Sequence, residues 1–134
     1  MNFFVFHEFL HLVIALVVGL VAYTLFKQKR LIFLSLVVSL GIDLDHLADY
    51  FYYFGLNLRN PITRPDFFCL SGKLLIPLHA WEFLPVLFIL AWKLEKLRGV
   101  FITIALALTG HYLLDQFSHA MLPLGYSFLF RLSH

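Results

Sequence analysis

The chain has 134 residues, 61% of them hydrophobic and 13% charged, with a mean hydropathy of +0.86. A soluble domain of that length cannot hide so much apolar surface, which places the chain in the membrane class. The net charge of +2 lies in short loops rather than in a patch, which argues against nucleic-acid binding, and the single cysteine, Cys69, excludes an internal disulfide or a cysteine-based metal site.

Four apolar segments reach, or nearly reach, the ~20 residues that a helix needs to cross a bilayer. The first runs from Phe3 to Phe26 and is closed by the basic stretch Lys27-Gln28-Lys29-Arg30. Its cationic residues follow the apolar run instead of preceding it, so it reads as a retained helix and not as a cleavable leader. The second runs from Leu31 to about Phe54, with an acidic cluster in its second half and then Tyr50-Phe51-Tyr52-Tyr53-Phe54, an aromatic run of the kind found at membrane interfaces. Gly55 to Lys73 reads as a loop, marked by Asn60-Pro61, Arg64-Pro65-Asp66 and Ser71-Gly72.

The third helix is expected from Leu74 to Trp92, with Pro77 near its first turn and a kink at Pro85. Trp81 and Trp92, near its two ends, suit interfacial anchors. After the charged turn Lys93–Gly99, the fourth helix is expected from Val100 to about Ala120, and Met121–His134 reads as a short interfacial segment. The expected fold is therefore all-α: a polytopic four-helix transmembrane bundle forming a single domain over residues 1–134. Counting Lys and Arg places the two basic turns, with Lys27, Lys29, Arg30, Lys93, Lys96 and Arg98, in the cytoplasm and both termini outside.

The ionisable residues are not scattered. His7, Glu8 and His11 open the first helix, and Asp43, Asp45, His46 and Asp49 lie toward the exit of the second. His79 and Glu82 open the third, and His111, Asp115 and His119 close the fourth. In an up-down bundle those ends share one leaflet, opposite the basic turns. Of 7 histidines and 8 acidic residues in the chain, six of each type belong to this set, which chance would not sort so. At about 100° per residue, His111, Asp115 and His119 make one stripe, His7 and His11 another, and His79 and Glu82, three apart, a third. Any one such residue could be a core group bonded to a neighbouring helix. The whole set, paired only with itself, would leave excess acid buried. Four stripes of imidazole and carboxylate facing one bundle interior suit a divalent transition metal: zinc, or manganese or iron, with enough ligands for two or more ions.

The set resembles the YdjM-like family of membrane-bound metal-dependent hydrolases, which has a histidine opening the first helix, a Pro-Asp-x-Asp-His motif, a Thr-His-Ser-type segment and a Gly-x-x-x-His-x-x-x-Asp-like helix. The counterparts here are His11, then Asp43-Leu44-Asp45-His46, then His79 in Leu78-His79-Ala80-Trp81-Glu82, then His111 and Asp115. Ile42 stands in place of the proline, and a basic stretch before the third motif is missing. The His-x-x-x-Asp element is also similar in ligand type and spacing to the zinc-binding helices of phospholipase C-like enzymes.

On this reading the leading ligands are His11, Asp43, Asp45, His79, His111 and Asp115. His7, His46, Asp49 and His119 serve as further or supporting ligands, and Glu8 or Glu82 as general base. The expected activity is hydrolysis of a lipid or lipid-linked phosphoester near the non-cytoplasmic face of a bacterial or archaeal plasma membrane. Membrane lipids are then the surroundings, and a second copy or a partner membrane protein could help to enclose the site. Arg59 and Arg64 read as loop residues that could also hold a phosphate. Two alternatives stand beside this. His7-Glu8-Phe9-Leu10-His11 matches the H-E-x-x-H pattern of zinc metalloproteases. A non-enzymatic metal- or haem-binding subunit is the other, although haem ligation has no need of so many carboxylates.

Overall fold

The structure, a computed structural model, describes residues 3–56, 76–118 and 126–133; for Asp49 it describes the backbone alone. His119, Cys69, Arg59 and Arg64 lie outside the described residues. Among those described the chain is all-helical. The helices are α1 (Phe3–Phe26), α2 (Arg30–Gly41), α3 (His46–Phe54), α4 (Phe83–Lys93), α5 (Arg98–Ser118) and α6 (Phe128–Ser133).

Three stretches are long and apolar enough to cross a membrane: Val5–Phe26, Arg30–Tyr52 and Glu95–Ser118, of 22, 23 and 24 residues. At 1.5 Å per residue each exceeds the ~30 Å of a bilayer's hydrocarbon core. Their outer faces carry exposed Phe9, Leu16, Val17, Leu25, Phe33 and Val37, and α4 adds Val86, Phe88 and Ile89. Apolar surface on this scale suits lipid rather than water.

Small residues let the helices approach. Along α5, Gly99, Thr103, Ala107, His111 and Asp115 are buried at every fourth position, so one ridge is small at the basic end and carries an imidazole and a carboxylate at the other. This helix packs against α1, α2 and α4. On α1 the corresponding small residues are Ala15, Gly19 and Ala22, and Ser35 Oγ of α2 donates to the Ala15 carbonyl at 2.8 Å. A Cβ on Gly19 would stand 2.8 Å from Ile32 Cα, so a glycine is what permits that crossing. A Cβ on Gly99 would meet Phe26 at 3.0 Å and Leu31 at 3.4 Å. The two basic turns therefore lie at the same end of the molecule, as the alternating topology requires.

Two expectations are corrected. The second apolar segment is not one uniform α-helix: Ile42–Asp45 tightens into a 3₁₀ turn between α2 and α3, so the acidic cluster sits on the tightened turn. Gly55 then ends α3 with φ 58° and ψ −151°, a backbone region open essentially to glycine. The third apolar segment is not helical over residues 76–82, which form irregular turns, and α4 begins at Phe83; Leu74 and Leu75 lie outside the described residues. With 11 residues, α4 falls short of a full span by itself. The later start also removes the expected kink. Phe83 and Leu84 donate their N–H groups to the Ala80 and Trp81 carbonyls, and Pro85 falls in the first turn, where a missing N–H costs nothing.

Candidate metal centre

The end of the molecule opposite the basic turns collects side chains from five elements. From α1 come His7 and His11, 7% and 1% exposed; the 3₁₀ turn supplies Asp43 and Asp45, and His46 opens α3. His79 comes from the irregular turn before α4, and His111 and Asp115 from the last turns of α5, all three essentially buried.

Asp115 is the centre of this set. Its Oδ1 lies 3.1 Å from His7 Nε2 and 2.9 Å from His11 Nε2. Its Oδ2 lies 3.2 Å from His111 Nε2 and 3.5 Å from His79 Nε2. One carboxylate is thus divided between two histidine pairs. Within each pair the Nε2 atoms face each other, at 2.9 Å for His7 and His11 and 3.2 Å for His79 and His111. Asp43 Oδ1 joins the second pair, 3.1 Å from His111 Nε2 and 3.8 Å from His79 Nε2. His46 Nε2 stands 3.7 Å from the same Asp43 oxygen, at the more open rim.

Asp45 acts at one remove. His79 Nδ1 is 3.1 Å from Asp45 Oδ2, which also accepts the Leu78 N–H at 2.8 Å. A carboxylate on Nδ1 leaves Nε2 as the free electron pair and points it into the cluster, which is how metal-ligating histidines are oriented.

These groups could hold a metal ion. Three sets of ligand atoms, each within 4.8 Å of one another, are present: His7, His11 and Asp115; His79, His111 and Asp115; and Asp43, His46 and His79. Tetrahedral ligation at ~2.0–2.1 Å places neighbouring ligand atoms about 3.3 Å apart, close to the spacing inside both histidine pairs. The electrostatics point the same way. Three carboxylates share an interior where unneutralised charge is costly, and Asp43 Oδ2 is buried without a hydrogen-bond partner.

The two glutamates part company. Glu8 is half-buried and within electrostatic reach of Asp43, His11, His7 and His111. Glu82 is outside the cluster: its carboxylate accepts from Ser127 Oγ at 2.6 Å and from the N–H groups of Phe128 and Leu129 at 3.1 and 3.2 Å. The His79–Glu82 helical stripe expected from their spacing does not exist, because α4 starts after both.

Two tyrosines that spacing did not single out complete the site. Tyr126 donates its hydroxyl to Asp115 Oδ2 at 3.3 Å, and burial, with the Asp115 charge, pushes its phenol pKa up, so it remains a donor. Tyr112 donates to the Leu78 carbonyl at 2.7 Å and accepts the Ala80 N–H at 3.4 Å. Position i+1 to His111 was the only sequence signal for Tyr112, and Tyr126 had none beyond being a phenol in an apolar tail.

Compared with known proteins, the chain matches no family model, no curated protein and no solved structure.

Proposed function

We propose that this cluster is a site for two divalent transition-metal ions, one at each of the histidine pairs that share Asp115, and that the protein is a membrane-embedded metal-dependent hydrolase. The division of the Asp115 oxygens between two histidine pairs carries this reading. His7, His11 and Asp115 Oδ1 would hold one ion; His79, His111, Asp115 Oδ2 and Asp43 would hold the other. Such ions, when bound, polarise a phosphoryl oxygen and make water acidic enough to attack near neutral pH.

The chain's own residues supply the rest. Asp45 fixes the tautomer and direction of His79. Glu8, at the half-open edge beside both histidine pairs, is placed to take a proton from the attacking water. Asp43 and His46 are the most accessible members of the cluster, so substrate approaches from their side. Because the centre sits at the end of spanning helices, the substrate that fits is a lipid or lipid-linked phosphoester. A fourth crossing is completed by α4 together with the irregular 76–82 turn. Support for that comes from the turn's backbone groups, which are satisfied by side chains as non-helical chain within a membrane must be. The basic turns face the cytoplasm and the centre the opposite side, in keeping with the bias of Lys and Arg.

Elemental analysis of detergent-purified protein tests the centre. Two equivalents of metal are expected in the wild type, one in His11→Ala and in His111→Ala, and none in Asp115→Ala, followed by activity against phospholipid and lipid-pyrophosphate substrates. A folded wild-type protein that takes up no zinc or manganese would overturn the reading. One observation favours a second reading: His7, His11 and Asp115 form a three-ligand set with Glu8 between the histidines, the donor set of an intramembrane zinc protease. That reading requires one ion only, so a single equivalent insensitive to His111→Ala would select it.

A further inference from the structure

Among the described members of the cluster, His79 is the one carried on irregular chain, and the C-terminal segment holds that chain in place. Arg131 Nη1 donates to the Ile76 carbonyl at 2.9 Å and Nη2 to the His79 carbonyl at 2.8 Å. The Trp81 N–H donates to the Tyr126 carbonyl at 3.0 Å. Glu82 accepts from Ser127, Phe128 and Leu129, tying the far end of the turn to the start of α6. From the same segment Tyr126 reaches Asp115 Oδ2, and its ring centroid lies 5.3 Å from that of His79.

We propose that Tyr126 and Arg131 are positioning residues of the metal centre, Tyr126 by orienting the Asp115 carboxylate shared by the two histidine pairs and Arg131 by fixing the peptide that carries His79. This rests on the dinuclear reading above. A helical ligand is oriented by its own backbone hydrogen bonds. His79 has no such frame, so the direction of its imidazole depends on what holds residues 76–81. Arg131 spans two carbonyls of one turn with its planar fork, a geometry that a lysine cannot reproduce. Tyr126 offers one hydroxyl to the oxygen shared with His79 and His111, which resists rotation of the carboxylate about its own bond. Partners of ligands generally change metal affinity by roughly 10–100-fold when removed.

The test uses Co(II) with the full chain in detergent, reading visible absorption and affinity by chelator competition. Tyr126→Phe keeps the ring and loses only the hydroxyl; Arg131→Lys keeps the charge and loses the fork. Both are expected to bind Co(II) about 10–100-fold more weakly, with a shifted absorption band, while the His7–His11 side still loads. A purely structural strap would lower the thermal midpoint and leave the Co(II) spectrum and affinity unchanged, and that result overturns the proposal. Should Tyr126→Phe not fold, Arg131→Lys alone decides on the same readout. Wild-type protein that binds no Co(II) would overturn the metal reading itself, whereas a loaded wild type with indistinguishable variants overturns only the positioning roles.

Discussion

His79 and Asp45 form a buried pair in which the carboxylate sets the imidazole's role: Nδ1 lies 3.1 Å from Asp45 Oδ2, and Nε2 is left facing His111. The same oxygen accepts the Leu78 N–H, so side chain and backbone are aligned by one group. Asp45→Asn retains the shape but removes the charge that supports the ligand, and metal affinity should fall roughly 10–100-fold. Asp45→Ala strips the pair and should cost stability as well, about 3–5 kcal/mol, because buried polar groups lose their partner. Chelator competition and thermal unfolding on the two variants separate these effects. Equal affinity in Asp45→Asn and wild type would show that the carboxylate does not tune the ligand.

Loss of the Glu82 carboxylate should undo the attachment of α6. It accepts from the Ser127 hydroxyl and from the Phe128 and Leu129 amides. Hydrogen bonds to a charged group contribute about 1.5–3 kcal/mol each. Hydrogen exchange at Phe128 and Leu129 should therefore show protection in the wild type that is reduced in Glu82→Gln and lost in Glu82→Ala. Wild-type protection equal to that of Glu82→Ala would show that Glu82 does not hold the segment.

Much of this arrangement was legible in the chain. Ionisable residues inside apolar runs are rare, so their gathering at alternate helix ends located His7, His11, His111 and Asp115 without any coordinates. Spacing failed where the backbone is not an α-helix. Ile76-Pro77-Leu78 is as apolar as the helix that follows, and hydropathy does not distinguish an irregular turn from a helical span. The informative residue was Pro85, which fits a first turn and thereby dates the start of α4 to Phe83. Glu82 was grouped with His79 by helical spacing alone, and the grouping fell with the helix. Tyr126 was beyond reach because its place depends on the return of the tail to residues 76–82, a long-range contact with no local periodicity.

The crossing of α1 and α2 should be less tolerant than that of α1 and α5. A Cβ on Gly19 would lie 2.8 Å from Ile32 Cα, whereas one on Gly110 would lie 2.6 Å from Ile14 Cγ2. The first obstacle is backbone and moves only if the helices separate; the second is the γ-methyl of a β-branched residue, held in one preferred χ1 well but free to yield by a shift of that one side chain. Gly19→Ala should therefore lose about 1–3 kcal/mol to overpacking, in excess of the ~1 kcal/mol gained from helix propensity, and Gly110→Ala should lose less. Unfolding in detergent would rank them, and a Gly110 variant worse than the Gly19 variant would contradict this account of the packing.

If the cluster holds metal as proposed, metal removal should destabilise the folded protein, because an ion bound by the native cluster has little affinity for the unfolded chain. At a free metal concentration a hundredfold above Kd the stabilisation is about 2.7 kcal/mol per site, so a chelator should lower the thermal midpoint by several degrees. The response is specific to the ligands. Asp115 touches both histidine pairs, so Asp115→Asn should unfold at the same temperature with and without chelator. His11→Ala should keep part of the response, because His79, His111 and Asp43 are intact on the other side of Asp115. Lys96→Ala, on the opposite basic turn, should respond as wild type does. An equal chelator effect in Asp115→Asn and wild type would place the stabilising ion away from this cluster.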